Sequence, residues 1–413
     1  MRRSRGLLTW AVAATFAIAC TSSTAPTTSA PAGPLKIGVL VPYTESALDS
    51  DIGASQKRAA DLYLRLHGGK LGRRDVSLVF NDESALDPGI NTVRLRQFLE
   101  QDHVELLLGG AGGPAAYLMR DVAEASKLVY VDTSAAANAL TRTTSGCTPS
   151  CKSRYVFRTA PTSWQLSEPL GEWAAKNGPK EFYAVYADDD FGTESAAAFA
   201  EGLAKNGGKV TGTSAKAEKT GDWPKVVAAI KAQPTKNVFA AFFTEDAERF
   251  LAAWEAAGLR AAGYTLYGPG PLAGGQVLKV AKEAALGAVT SFPWAPDVAG
   301  AENAAFVDAF RKAYTDEDTG QPLAPDGYAA LMWDAMAVLD RALAVTKGEA
   351  KNADALVAAM ESVSLSAPGG PLSVDRVTHA AILDVYIREV RATGGAFANV
   401  TTAKIASVRD PGP

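Results

Sequence analysis

A chain of 413 residues, 47% apolar and 21% charged, is ordinary globular material long enough for two or three domains of ~100–200 residues, which excludes wholesale disorder. The net charge of −4 leaves no basic field for a phosphate backbone, so nucleic-acid binding is set aside. Three cysteines without a Cys-x-x-Cys, and His67, His103 and His379 far apart, leave no metal-finger spacing and no metal site is expected.

The chain opens on Arg2, Arg3 and Arg5, followed by an apolar run from Leu7 to Ala19. That run is too short for a spanning helix, which takes roughly 20 residues. A basic start, a short apolar stretch and small residues describe an export signal over 1–19. The run ends Ala17-Ile18-Ala19-Cys20, which resembles the lipobox of bacterial lipoproteins, with Ala17 where leucine is usual. Lipidation at Cys20 would anchor the protein to the bacterial cell membrane on its extracytoplasmic side; a secreted protein with a stray cysteine is the alternative. Residues 20–34 carry no charge and only small or turn-forming side chains, and read as a flexible tether.

Leu35–Val41 is a nearly continuous apolar run that suits a strand buried on both faces of a parallel sheet. Helix 53–67 follows, with Ala59, Leu62, Tyr63 and Leu66 on one face, then strand 76–81. The pattern repeats as helix 90–101, strand 104–108, helix 114–126 and strand 128–132. Cys147 and Cys151, in the turn SGCTPSC, should pair in an oxidising compartment, which contributes about 2 kcal/mol by chain entropy. After strand 155–158 the same grammar restarts: helix 164–177, strand 182–187, helix 193–206, strand 209–213, helix 223–232, strand 238–243, helix 245–257 and strand 264–267. Helices 303–314, 326–346 and 353–362 and a closing strand 381–391 complete the chain. Two runs of βαβ units mean an α/β fold of two doubly wound lobes. Open α/β sheets bind beyond the carboxyl ends of their strands, so a ligand cleft between the lobes is expected.

Gly110-Ala111-Gly112-Gly113-Pro114-Ala115 follows a strand and opens a helix, fitting G-x-G-x-x-A with Asp132 about 20 residues on. Such a turn serves a dinucleotide enzyme, a cradle of backbone N–H groups for a carboxylate or other polar ligand, or packing alone. The turn follows the lobe's third strand rather than its first, which weakens the dinucleotide option. No cofactor is expected. G-x-S-x-G and Walker spacing are missing, so an enzyme is the remote alternative. Asp188-Asp189-Asp190 reads as a solvated acidic turn ahead of a helix rather than a cation site.

Lys36-Ile37-Gly38-Val39, the Gly68-Gly69-x-x-Gly72 turn, Asn81-Asp82 with Asp87-Pro88, Leu107-Leu108-Gly109, Tyr155-Val156-Phe157-Arg158, Asp190-Phe191-Gly192, Ala256-Ala257-Gly258-Leu259 and Asp326-Gly327-Tyr328-Ala329-Ala330 occur in this order. Together they resemble the leucine/branched-chain amino-acid-binding family of ABC importers, with the type I periplasmic-binding-protein fold, over roughly Leu35 to Arg391. The resemblance implies three crossovers, near 159–162, 289–292 and 367–372. The first lobe would comprise 35–160 plus 291–366 and the second 161–290 plus 367–413. It also implies a monomer that closes on a small solute, such as a branched-chain amino acid or a related amide or carboxylate. The loaded protein would then dock on an ABC permease with its ATPase subunits; a ligand-sensing module for a membrane receptor is the alternative. The family's carboxylate-holding serine and threonine align with Gly113 and Ala136, leaving backbone groups of Gly112, Gly113, Ser134 and Ala136 and the Ser134 hydroxyl. Phe191 and Phe243 stand where aromatic walls are common. The acid that pairs with a substrate ammonium aligns with Gly270, so an α-amino acid would need Glu245 or Asp132 in its place.

Overall fold

In the computed structural model the described residues are 33–44, 47–84, 87–143, 152–216, 222–317 and 319–412. Cys20, Cys147 and Cys151, and with them the expected lipidation and disulfide, lie outside this set.

The first part of the chain runs β1 (Leu35–Val41), α1 (Ala47–Leu66), β2 (Lys70–Leu71), β3 (Arg74–Asp82), α2 (Pro88–Gln97), β4 (Leu106–Gly109), α3 (Gly113–Ser126), β5 (Val129–Asp132) and β6 (Val156–Arg158). These strands make one six-stranded sheet in the order β2-β3-β1-β4-β5-β6, parallel except for the short β2. Strand β1 is central, which is why its sequence is apolar on both faces. Ile37, Val39 and Val41 pack on one side with Leu62 of α1, while Leu40 packs on the other with Phe98 and Met119 of α3.

The chain then crosses into α4 (Ser163–Asn177), β7 (Glu181–Ala187), α5 (Asp190–Ala204), β8 (Lys209–Lys216), α6 (Trp223–Lys231), β9 (Asn237–Ala241), α7 (Thr244–Ala256), β10 (Thr265–Pro269), α8 (Gly275–Ala281) and β11 (Val289–Phe292). It returns to the first sheet through α9 (Ala301–Ala313), α10 (Gly327–Val345) and α11 (Ala353–Met360), which cover the α1 side of the first core. Four last strands follow: β12 (Ser364–Ala367), β13 (Gly370–Val374), β14 (Ala381–Thr393) and β15 (Ala396–Val408). The second sheet has the order β12-β13-β14-β11-β10-β9-β7-β8, with β15 paired to β14. It too is covered on both faces, by α6, α7 and α8 on one side and α4 and α5 on the other.

The two doubly wound lobes expected from the sequence are therefore present. The chain does not close on a strand ending at 391: β14 runs on to Thr393, turns at Gly394-Gly395 and returns as β15. Strand β15 is exposed or half-buried at every residue but its last, so it carries little of the apolar signal that marked the inner strands. The hairpin β12–β13 was likewise not expected, since its strands are only four and five residues long.

Candidate functional site

The carboxyl ends of β1, β3, β4 and β5 bring together Tyr43, Glu83, the 110–113 turn and the 133–138 loop. Gly112 is the N-cap of α3 and, with Gly113, is partly exposed to the cleft. Its amide is already engaged: Gly112 N–H donates to Glu83 Oε1 at 3.0 Å, and Ala111 N–H to Glu83 Oε2 at 2.8 Å. Ser134 turns its hydroxyl inward, donating to the Gly110 carbonyl at 2.9 Å. The Ala136 carbonyl accepts from Ser163 N–H at 2.7 Å and from its hydroxyl at 3.0 Å.

Asp132 is fully buried; its carboxylate lies 3.5 Å from the Arg158 guanidinium and accepts from the amides of Ser134 and Ala135. Burial nevertheless pushes its carboxyl up to about 7 against the pull of Arg158 and those amides. Neither Asp132 nor the amide turn is thus arranged as a ribose-and-pyrophosphate site. Among the described residues no cluster of His, Cys, Asp and Glu is arranged to hold a metal ion.

From the second sheet come the start of α5, the start of α7 and the β10–α8 connection. Asp189 caps α5 by accepting from Gly192 N–H at 2.7 Å, the role expected for that acidic turn. Phe191 and Phe243 meet edge to face at 6.1 Å between ring centres. Phe243 is followed by Tyr328 at 6.5 Å, and Tyr328 by Phe292 at 6.4 Å. An aromatic row therefore crosses the junction of the lobes. Glu245, half-buried in the first turn of α7, has its carboxylate 3.4 Å from Arg249 one turn on.

Gly270 begins the turn after β10 and is buried against the crossover strand. A Cβ at this position would come within 2.4 Å of the Phe292 ring and 2.9 Å of an Arg388 guanidinium nitrogen. Arg388 stands opposite Thr290 in the β11–β14 register and is 4% exposed. Its nitrogens donate to Thr290 Oγ1 at 3.1 and 3.2 Å and to the Trp294 carbonyl at 3.0 Å, and its guanidinium lies 5.1 Å from the Phe292 ring centre. No carboxylate among the described residues lies within ion-pair distance of it, and burial lowers its pKa to about 9.

A small pocket spans the lobes between α1, α7, α8 and α10, lined by Asp51, Thr244, Pro271, Gln276, Asp326 and Tyr328. Thr244 holds φ at +44°, a conformation that a β-branched residue adopts only when its surroundings impose it. Burial raises the pKa of both carboxyls here; Asp326 reaches about 6, helped by the nearby charge of Asp51. Sequence reasoning missed Glu83, Arg388 and this acid pair, whereas Thr244 lies directly after a strand, where functional residues were expected. Only Asp326 carried a signal, as the cap before a long apolar helix.

The sequence profile of the periplasmic binding protein family matches residues 34–396. The chain belongs to the periplasmic binding protein family. Membership implies an extracytoplasmic protein that binds a small molecule, and no described helix is long and apolar enough to cross a membrane. This family member is 28% identical over 382 residues to the Leu/Ile/Val-binding protein homolog 6 of Brucella suis, covering 92% of this chain and 93% of the relative. Its fold is similar to that of an ABC-transporter solute-binding protein from Rhodopseudomonas palustris BisB5 in complex with 3,4-dihydroxy benzoic acid, at TM-score 0.81 and 26% identity, covering 92% and 99% of the two chains. A second R. palustris solute-binding protein, in complex with benzoate, aligns at TM-score 0.78 and 28% identity over 91% of this chain and 98% of the other.

Proposed function

We propose that this protein captures a small carboxylate without an α-ammonium, an aromatic acid in the first instance, by closure of two lobes and delivers it to an ABC permease. The observation that carries this reading is Gly270. The acid expected to neutralise an ammonium is missing there, and the space its side chain would enter is taken by the Phe292 ring and the buried guanidinium of Arg388. Positive charge at that point repels an ammonium, and an unpaired buried cation costs several kcal/mol. Glu245 and Asp132 each lie beside an arginine of their own, which supports a ligand that brings no ammonium. The row Phe191–Phe243–Tyr328–Phe292 suits a flat apolar ligand body, and two similar solute-binding proteins were solved with benzoic acids. The lobes are assigned as 35–160 plus 291–366 and 161–290 plus 367–413, on a monomer tethered through lipidated Cys20.

A thermal-shift and calorimetric comparison of benzoate, 4-hydroxybenzoate and leucine tests the ligand class. An acid at 100 times its dissociation constant should add about 2.7 kcal/mol to stability, with no shift from leucine. Leucine binding that disappears in Asp326→Asn would reassign the ligand to an amine held by the Asp51–Asp326 pocket.

A further inference from the structure

Two carboxyl groups face the second lobe across the junction. Asp51 on α1 and Asp326 at the N-cap of α10 belong to helices packed on the first sheet, whereas Thr244 and Gln276 belong to α7 and α8, packed on the second. All four line one cavity of about 10 Å³, room for about one water molecule. Ser55 and the Ala329 amide hydrogen-bond to Asp326. The charges around the pair are Lys279 of α8 and Arg58 of α1, which attract, and Asp316 beyond α9, which repels Asp51. No lysine or arginine among the described residues comes within ion-pair distance of either carboxylate. Gln276 brings a further acceptor, since its Oε1 is buried with no donor among the described residues. Ionised, the two acids repel each other and leave that acceptor unmatched. Protonated, either acid becomes a donor beside it.

Burial raises both carboxyls while the lobes are together, Asp326 to about 6. With the lobes apart, water reaches the pair and both return toward the ordinary carboxylate range near 4. Between about pH 4 and 6 the closed form therefore holds more protons than the open form, and closure weakens as pH rises through 6. We propose that closure of this protein is proton-linked: the Asp51–Asp326 pair takes up a proton as α7 and α8 close over it, so that a ligand is captured more tightly in mild acid than at neutral pH. The inference rests on the reading of the molecule as two lobes that close, and it holds whichever solute is captured. Glu194, on the α3–α5 side of the cleft, is raised by burial too and adds in the same direction.

The test is calorimetric titration with benzoate, 4-hydroxybenzoate and leucine at pH 5.5 and 8, and at pH 6 in two buffers of different ionisation enthalpy. Small-angle scattering of the ligand-free protein at the same pH values accompanies it. The solute that binds should do so about fourfold or more tightly at pH 5.5, with proton uptake visible as a buffer-dependent heat. Asp51→Asn/Asp326→Asn should bind as tightly at pH 8 as at pH 5.5 and show a correspondingly smaller uptake. Should the double variant not fold, Asp51→Asn alone, which leaves the α10 cap in place, should reduce the dependence. Affinity that is flat with pH, heats that do not depend on the buffer, or a dependence undiminished in the folded variant would overturn the inference. The last result would assign the proton to Glu194. Should none of the three solutes bind, the scattering decides: the radius of gyration should be smaller at pH 5.5 than at pH 8, and a constant radius overturns the inference. Leucine bound in place of the acids, with the same pH dependence, removes the proposed ligand class and leaves this inference standing. Benzoate bound without pH dependence or proton uptake does the reverse.

Discussion

Asp326 does two things at once. Its Oδ1 accepts from Ala329 N–H at 2.9 Å and so caps α10, while its other face looks across the lobe junction. Burial and then Asp51 raise its pKa to about 6, with the Ala329 amide, Ser55 and Lys279 pulling the other way. A folded-state pKa above the unfolded value means that the folded protein holds more protons between about 4 and 6. Stability from this group is therefore present in acid and is lost as pH rises through 6. Asn caps a helix about as well as Asp and carries no charge. Asp326→Asn should accordingly match the wild type near pH 4 and become the more stable protein above pH 6, as read from urea unfolding at several pH values. A difference that does not change with pH would mean that Asp326 is ionised without penalty in the fold.

At the scale of elements, the C-terminal segment fastens the crossover into α4. Thr162 and Gln165 form a reciprocal cap at the start of α4, and the Thr162 hydroxyl also donates to Asp410 at 2.7 Å. Asp410, 2% exposed, receives two parallel bonds from Arg142 at 2.8 and 2.7 Å. Gln165 reaches the carbonyls of Ala381 and Val408 at 2.9 and 3.0 Å, tying β14 and β15 to the same helix start. Asp410→Ala strands Arg142 and Thr162 together and should lower the unfolding free energy by about 3 kcal/mol, within the range for breaking a buried pair. A loss below about 1 kcal/mol in chemical denaturation would show that water replaces the carboxylate. None of this knot was legible in the sequence, because its partners lie up to 268 positions apart. The inner strands and their helices were legible, since each is an apolar run or a 3.6-residue stripe that declares itself locally. The same division holds in the cleft. The 110–113 turn, Phe191 and Phe243 follow strands and were found, whereas Glu83 and Arg388 act through partners brought close only by the sheets.

For the molecule as a whole, the two lobes are in contact on the side of the cleft formed by α3 and α5. The Tyr117 hydroxyl on α3 donates to Asp190 at the start of α5 at 2.8 Å, and Asn138 N–H donates to Glu194 at 2.8 Å. Burial raises the pKa of Glu194 despite the Asn138 amide and the Ser163 hydroxyl, so closure sequesters this carboxyl with protein donors in place of water. Such bonds exist only while the lobes are together, and they bias the open–closed equilibrium in the same direction as a bridging ligand. Tyr117→Phe removes one of them without changing the packing of the ring. The bond is partly exposed, so about 1 kcal/mol of closed-state preference should be lost. Ligand affinity would then fall by up to about fivefold, because the binding-competent state is less populated. Global unfolding should be nearly unchanged, since each lobe keeps its own core. Small-angle scattering of the ligand-free variant should show a larger radius of gyration than the wild type, and saturating ligand should abolish the difference. Equal radii together with unaltered affinity would mean that Tyr117 and Asp190 meet without contributing to closure, leaving the Asn138–Glu194 contact and the α1–α8 side to hold the lobes together.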